Sequence, residues 1–156
     1  MVGIPGYTGK EVYLGDSFLS YIGKDTYRLY LTELYHGLFV LDFTYKVGNK
    51  NINVVKTTFL NLKELLLSNN LFLPNGAFFS SITMIKHNSE FKTENLLVTT
   101  KKYHNLELIL TYDQWGNVIG TNLHRLYLRY SLYETIGVAK VAPGYVGIHY
   151  VLPPSA

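Results

Sequence analysis

The chain reads as a mainly β protein, an antiparallel β-sandwich or barrel carrying one short α-helix at about residues 62–69. Three observations predict this. Apolar residues alternate with polar ones at period two over most of the length, the pattern of a half-buried strand. Among 156 residues there are 14 Tyr and 8 Phe, types that suit a pleated, half-buried surface. One capping signal stands before a short leucine stripe at Asn61–Leu66, and a single helix follows from it.

Composition bounds the rest. Apolar residues make up 47% and charged residues 16%, which excludes a disordered or solvated chain. A length of 156 residues corresponds to one domain with a core large enough to stand without staples. No Cys is present, so no disulfide framework is available. The net charge is +3, with six cations and five anions up to residue 60 and eight and six after it. Neither half is a basic tail, so contact with nucleic acid is permitted but not argued for. No apolar run approaches the ~20 residues of a membrane helix, and Met1–Lys10 lacks the apolar stretch of a signal peptide. The expectation is a soluble chain, cytoplasmic or within a particle, with no membrane partner.

The ends read as extended arms on a single domain of residues 1–156. Residues 1–10 hold Gly3, Pro5, Gly6 and Gly9, and residues 152–156 hold Pro153-Pro154, which bars a central strand. Thr26–Tyr35 is a strand with Tyr27, Leu29 and Leu31 on one face. From Gly37 to Val47, Phe39, Leu41, Phe43 and Tyr45 alternate with Asp42, Thr44 and Lys46. Val47–Asn51 is a turn cluster and Ile52–Phe59 returns as a hairpin partner.

The helix follows, with Asn61 able to cap and Glu64 three residues on. Asn69-Asn70 suits its left-handed end, and Pro74-Asn75-Gly76 breaks the chain. Phe78, Ile82 and Met84 share a face of the next strand. Leu96–Tyr103 and Leu106–Tyr112 come after it, the latter turning Leu106, Leu108, Leu110 and Tyr112 inward. Asp113–Asn117 is a tight turn. The stretch Thr111–Ile119 resembles one hairpin of the YD-repeat shell proteins; it occurs once, so the resemblance implies shared turn chemistry and no kinship. Leu123–Tyr133 fits either period and is assigned as strand because Tyr is abundant there and Gly120 and Gly137 flank it. The last hairpin turns at Pro143-Gly144. The total is about eight to ten strands.

Catalytic signatures are missing. There is no Cys nucleophile, no Gly-x-Ser-x-Gly elbow and no phosphate loop. The five His include no pair at i, i+2 or i, i+4, so no local chelate forms, and no metal or cofactor is expected. Asp42, between Leu41 and Phe43, is expected on a solvated strand face, and Asp113 is expected to bond its own turn.

Seven residues are candidates for partner contact. Arg125, Tyr127, Arg129 and Tyr133 alternate cation and ring opposite the apolar face of Leu126–Leu132. Arg28 and Tyr30 have the same spacing on an earlier strand. Rings stack bases and Arg meets phosphates on single-stranded nucleic acid, while the same pattern also serves a partner-covered sheet face. Trp115, the sole Trp, stands at a hairpin tip, where it can anchor in a partner or fold back on the sheet.

The expected function is a non-enzymatic structural or assembly protein, a component of a virus (phage) particle or another large complex. Its partners would be other copies of itself or other subunits. Two alternatives remain open. One is a single-stranded nucleic-acid-binding module using the Arg/Tyr face. The other is a small-ligand-binding β-barrel or enzyme whose site is assembled from distant residues.

Overall fold

A computed structural model describes residues 7, 9–48, 50–101, 103 and 105–126, and the backbone of two later strands, 134–142 and 145–151. Ten strands and one helix are described. In chain order they are β1 (Leu14–Gly23), β2 (Thr26–Glu33), β3 (Gly37–Thr44), β4 (Asn53–Asn61), α1 (Leu62–Ser68), β5 (Phe78–Asn88), β6 (Thr93–Lys101), β7 (Asn105–Tyr112), β8 (Val118–Leu126), β9 (Glu134–Ala142) and β10 (Tyr145–Val151). The strands form two antiparallel four-stranded sheets, β1-β2-β3-β4 and β5-β6-β7-β8, and a separate hairpin β9-β10. This is the expected mainly β architecture in its sandwich form, with the one helix where the capping signal placed it.

Each sheet is a simple meander of strands consecutive in the chain, and its tight turns are chemically suited to reversal. Lys24 and Asp25 at the β1–β2 turn have positive φ. Asp113 accepts the amides of Trp115 at 2.9 Å and Asn117 at 2.8 Å, closing the β7–β8 turn. At the head of α1, the side chain of Asn61 accepts the amide of Glu64 at 3.0 Å. That bond satisfies one of the free donors of the first turn.

The core lies between the sheets. From the first come Tyr30, Leu38 and Val40; from the second come Phe79, Ile82, Leu96, Val98, Leu106, Leu108 and Leu110. Leu62 and Leu66 of α1 close one end. Leu106, Leu108, Leu110 and Tyr112 point inward as expected. On β5 the inward set is Phe79, Ile82 and Met84 rather than Phe78, because a register shift between Phe79 and Ser81 moves the phase by one residue. Along one side the sheets are tied together. The amide of Phe79 donates to the Leu34 carbonyl at 3.0 Å, and the amide of Ile82 donates to the Asp16 carboxylate at 3.2 Å.

Strand β1 was not anticipated. Leu14–Gly23 alternates only weakly, yet it pairs with β2 from Leu14↔Glu33 to Gly23↔Thr26. Asp42 requires a correction: it is 7% exposed, not solvated. The phase of β2 and β3 explains this. Their inward positions are Arg28, Tyr30, Val40 and Asp42, all buried. Tyr27, Leu29, Leu31, Leu41 and Phe43 are only partly buried. The more continuous apolar rows therefore face away from the sandwich core.

Candidate functional site

Two features of the described residues depart from an ordinary sandwich, whose outer faces are polar and whose interior is apolar.

The first is a charged cluster inside. Arg28 on β2 and Asp42 on β3 are register partners. Nε of Arg28 donates to Oδ1 of Asp42 at 2.8 Å, and Nη2 donates to Oδ2 at 3.0 Å. This is the bidentate geometry that a guanidinium makes with a carboxylate. Glu94 on β6 approaches Arg28 Nη1 at 3.8 Å. The guanidinium lies 4.1 Å from the ring centroid of Tyr112 on β7, and the Tyr112 hydroxyl donates to Glu94 at 3.2 Å. The Tyr30 and Tyr112 hydroxyls are 3.1 Å apart. His87 Nδ1 stands 3.4 Å from Glu94 at the opening. Burial raises the Glu94 carboxyl above the ordinary carboxylate range, against the pull of Arg28 and the Tyr112 hydroxyl. Burial, then the Glu94 charge, raises the Tyr112 phenol.

A groove of about 270 Å³ lies over this cluster, lined among others by His87, Lys92, Glu94, Tyr112 and Gln114. It is the kind of place where distant strands could assemble a ligand site. The groups in its floor are committed to one another, however. Arg28 is held by Asp42, by Tyr112 and by the Gly116 carbonyl at 3.4 Å. Gly116 packs so closely on the Arg28 and Asp42 side chains that the β7–β8 turn covers the ion pair. The cluster therefore pins the turn to the first sheet, joined by Lys56, whose Nζ donates to the Trp115 carbonyl at 3.1 Å.

The second feature is the outer face of the first sheet. Register places Leu19, Leu29, Leu41 and Thr57 in one row across all four strands. A second row holds Tyr21, Tyr27, Phe43 and Val54, and a third holds Ser17, Leu31, Phe39 and Phe59. None of these positions carries a charge. The rings touch along the rows: Tyr27 stacks on Phe43 at 5.5 Å, Tyr21 meets Tyr27 at 5.1 Å, and Phe39 meets Phe59 at 4.8 Å. At one end Tyr7 seats its ring on Phe39 at 5.2 Å and on Phe59 at 5.0 Å. At the other end Leu19 and Tyr21 are 53% and 60% exposed.

The second sheet is different. Ser81, Thr83, Leu97 and Thr99 point away from the core on β5 and β6 yet are buried, and β9 runs close to both strands. One outer face thus has a third layer of this chain beside it; on the other, Phe39 and Phe59 are buried with Tyr7 against them, and the remaining two rows stay partly open. No family model matches the chain, and no curated protein or solved structure matches it either.

Of the residues expected to meet a partner, Arg28 and Tyr30 are corrected. They are 5% and 0% exposed and belong to the interior cluster and the core. Alternation alone cannot tell which side of a strand is inside when both sides are apolar or paired. Trp115 is 72% exposed at the β7–β8 tip. Arg125 lies partly buried near the end of β8. Tyr127, Arg129 and Tyr133 lie outside the described residues, as do Met1–Gly6 and residues 152–156 of the expected arms. The row of outward apolar residues was visible in the alternation of 27–31 and 39–43, but was assigned no role. No described helix is long and apolar enough to cross a membrane.

Proposed function

We propose that this protein is a non-enzymatic structural subunit of a larger assembly, held in it through the outer face of its first sheet. The observation that supports this reading is the three uncharged rows on β1–β4, with Leu19 and Tyr21 more than half exposed. Val54 in the same rows is 54% exposed, whereas Phe39 and Phe59 are buried against Tyr7, so the open apolar surface lies on the side of Leu19, Tyr21 and Val54. Exposed apolar residues gathered on one face commonly mark interaction sites. The interior ion cluster fits the same reading: it fastens the two sheets and leaves no uncommitted nucleophile.

The test is particle mass by sedimentation, together with binding of a hydrophobic dye. An oligomer, or a monomer whose dye binding is lost on changing Leu29→Lys, supports assembly through this face. A monomer that binds no dye overturns it.

A further inference from the structure

Resting on that reading, we infer that Tyr7 and residues 9–12 form a displaceable strap, hinged at Tyr13, that sets how much of the outer face is open. The hinge is firm. Glu33 is fully buried, and its carboxylate accepts the Tyr13 amide at 2.7 Å. The Tyr13 carbonyl accepts the Leu34 amide at 2.8 Å. The same carboxylate accepts the amides of Tyr35 at 2.9 Å and His36 at 3.0 Å, and lies 2.7 Å from Nδ1 of His36. Glu33 thereby fixes both the entry into β1 and the imidazole on which the Tyr7 ring rests edge-on at 5.5 Å.

Beyond the hinge the hold is lighter. Among the described residues, no backbone group of Tyr7 or of residues 9–12 bonds to the sheet. The Tyr7 hydroxyl donates to the Glu11 carbonyl, and the Tyr13 hydroxyl donates to the Glu11 carboxylate. Those polar groups are satisfied within the segment and travel with it. Lys10 and Glu11 are exposed, and Val12 is 48% exposed. What meets the sheet is the Tyr7 ring, lying on Phe39 and Phe59. One buried aromatic side chain biases an open–closed equilibrium by roughly ten- to a hundred-fold. A segment with few buried contacts and no backbone ladder opens locally, without global unfolding. With the strap seated, the rows of Leu29 and Tyr27 are the open part of the face. With it lifted, Phe39 and Phe59 join them. An apolar surface arriving at the face binds the lifted form better and draws the population toward it.

The chain contains no cysteine, so Phe59→Cys places a single thiol beneath the Tyr7 ring. Under native conditions with excess N-ethylmaleimide, adding Tyr7→Ala should speed its labelling about ten-fold or more. Adding Arg28→Met, which loosens the whole sandwich from its opposite end, should leave the rate within about two-fold. Labelling that accelerates with Arg28→Met, or that ignores Tyr7→Ala, overturns the strap. A second measurement keeps Phe59 in place. Tyr7→Ala alone should bind more hydrophobic dye than the wild type and lower Tm by no more than roughly 4 °C. Unchanged dye binding, or a fall in Tm as large as that of Arg28→Met, overturns the strap as well, the latter by placing Tyr7 in the core. These readouts do not require assembly. A wild-type monomer that binds no dye, with labelling that follows Tyr7 alone, removes the assembly reading and keeps the strap. An oligomer sensitive to Leu29→Lys, with labelling that follows Arg28→Met, removes the strap and keeps assembly.

Discussion

Arg28 and Asp42 face each other across β2 and β3 in a two-pronged bond of 2.8 and 3.0 Å, buried between the sheets where an apolar pair would be expected. Removing such charges from water costs several kcal/mol per ion before their attraction is counted. The arrangement persists because each remaining lobe of the guanidinium is used. Glu94 stands on one side, the Tyr112 ring lies against its face, and the Gly116 carbonyl meets the edge. The cluster draws β2, β3, β6 and β7 and the turn after β7 to one point. Sheet pairing alone cannot do this, since it links only neighbours within a sheet.

Arg28→Met should therefore leave two buried carboxylates without a cation and lower folding stability by about 3–5 kcal/mol. Replacing the pair together, Arg28→Met with Asp42→Leu, should recover much of that loss, because the uncompensated charge at Asp42 is gone. Urea unfolding of the single and double variants measures both. A single variant within ~1 kcal/mol of the wild type would show that water reaches the cluster.

Glu94 predicts a pH dependence. Its carboxyl is held above the ordinary value by burial, so the folded chain binds this proton more tightly than the unfolded chain does. The contribution to stability is full below the unfolded value. It is lost as pH rises through the raised folded value. Glu94→Gln keeps an acceptor for the Tyr112 hydroxyl and removes the titration. The difference in unfolding free energy between variant and wild type should grow as pH rises above the ordinary carboxyl range, in favour of the variant. A difference that is flat with pH would place the folded value back at the ordinary one.

Much of this fold was legible in the alternation of residues. Leu106, Leu108, Leu110 and Tyr112 were legible as an inner face because Glu107, Ile109 and Thr111 between them are mostly polar. Asn61 and Glu64 marked the helix because no other segment offers a cap before a leucine stripe. Strand β1 was not legible, since much of its support is pairing with β2 and the bond from Asp16 to β5. The inward side of β2 and β3 was not legible either. Tyr27, Leu29 and Leu31 look like a core face. The tertiary partner that makes Arg28 and Asp42 interior, Glu94, lies far away in sequence. For the same reason the candidate face was visible as a pattern but not as a surface.

The backbone around Gly37 yields a packing prediction. A Cβ at this position would fall inside contact distance of the Leu60 carbonyl oxygen and the Leu62 amide nitrogen. Both atoms are backbone at the junction of β4 and α1, and neither can swing aside as a long side chain would. Gly37→Ala should thus push β3 away from that junction and cost about 3 kcal/mol, the upper range for overpacking. In a chain of this size that corresponds to a fall in Tm of roughly 6–12 °C. A calorimetric scan showing an unchanged Tm would mean that the junction can open without disturbing Leu62 and Leu66 beneath it.

The β7–β8 turn separates a side chain that folding uses from one it does not. Asp113 accepts three hydrogen bonds, from the amides of Trp115 and Asn117 and from the Asn117 side chain at 2.9 Å. The Asn117 side-chain bond, followed by the backbone bonds, holds the Asp113 carboxyl below its ordinary range. Trp115, beside it, presents most of its ring to solvent, and only its backbone takes part in these bonds and in the contact with Lys56. Trp115→Ala should therefore change stability by no more than about 0.5 kcal/mol, as for other surface substitutions away from special features. Asp113→Ala should lower Tm visibly further, because the turn loses its internal acceptor and Gly116 loses its fixed place over Arg28 and Asp42. In the wild type, the sole tryptophan should emit as it does in water and be fully open to acrylamide quenching. A blue, protected emission, or a large loss of stability in Trp115→Ala, would show that the ring folds back onto the sandwich instead.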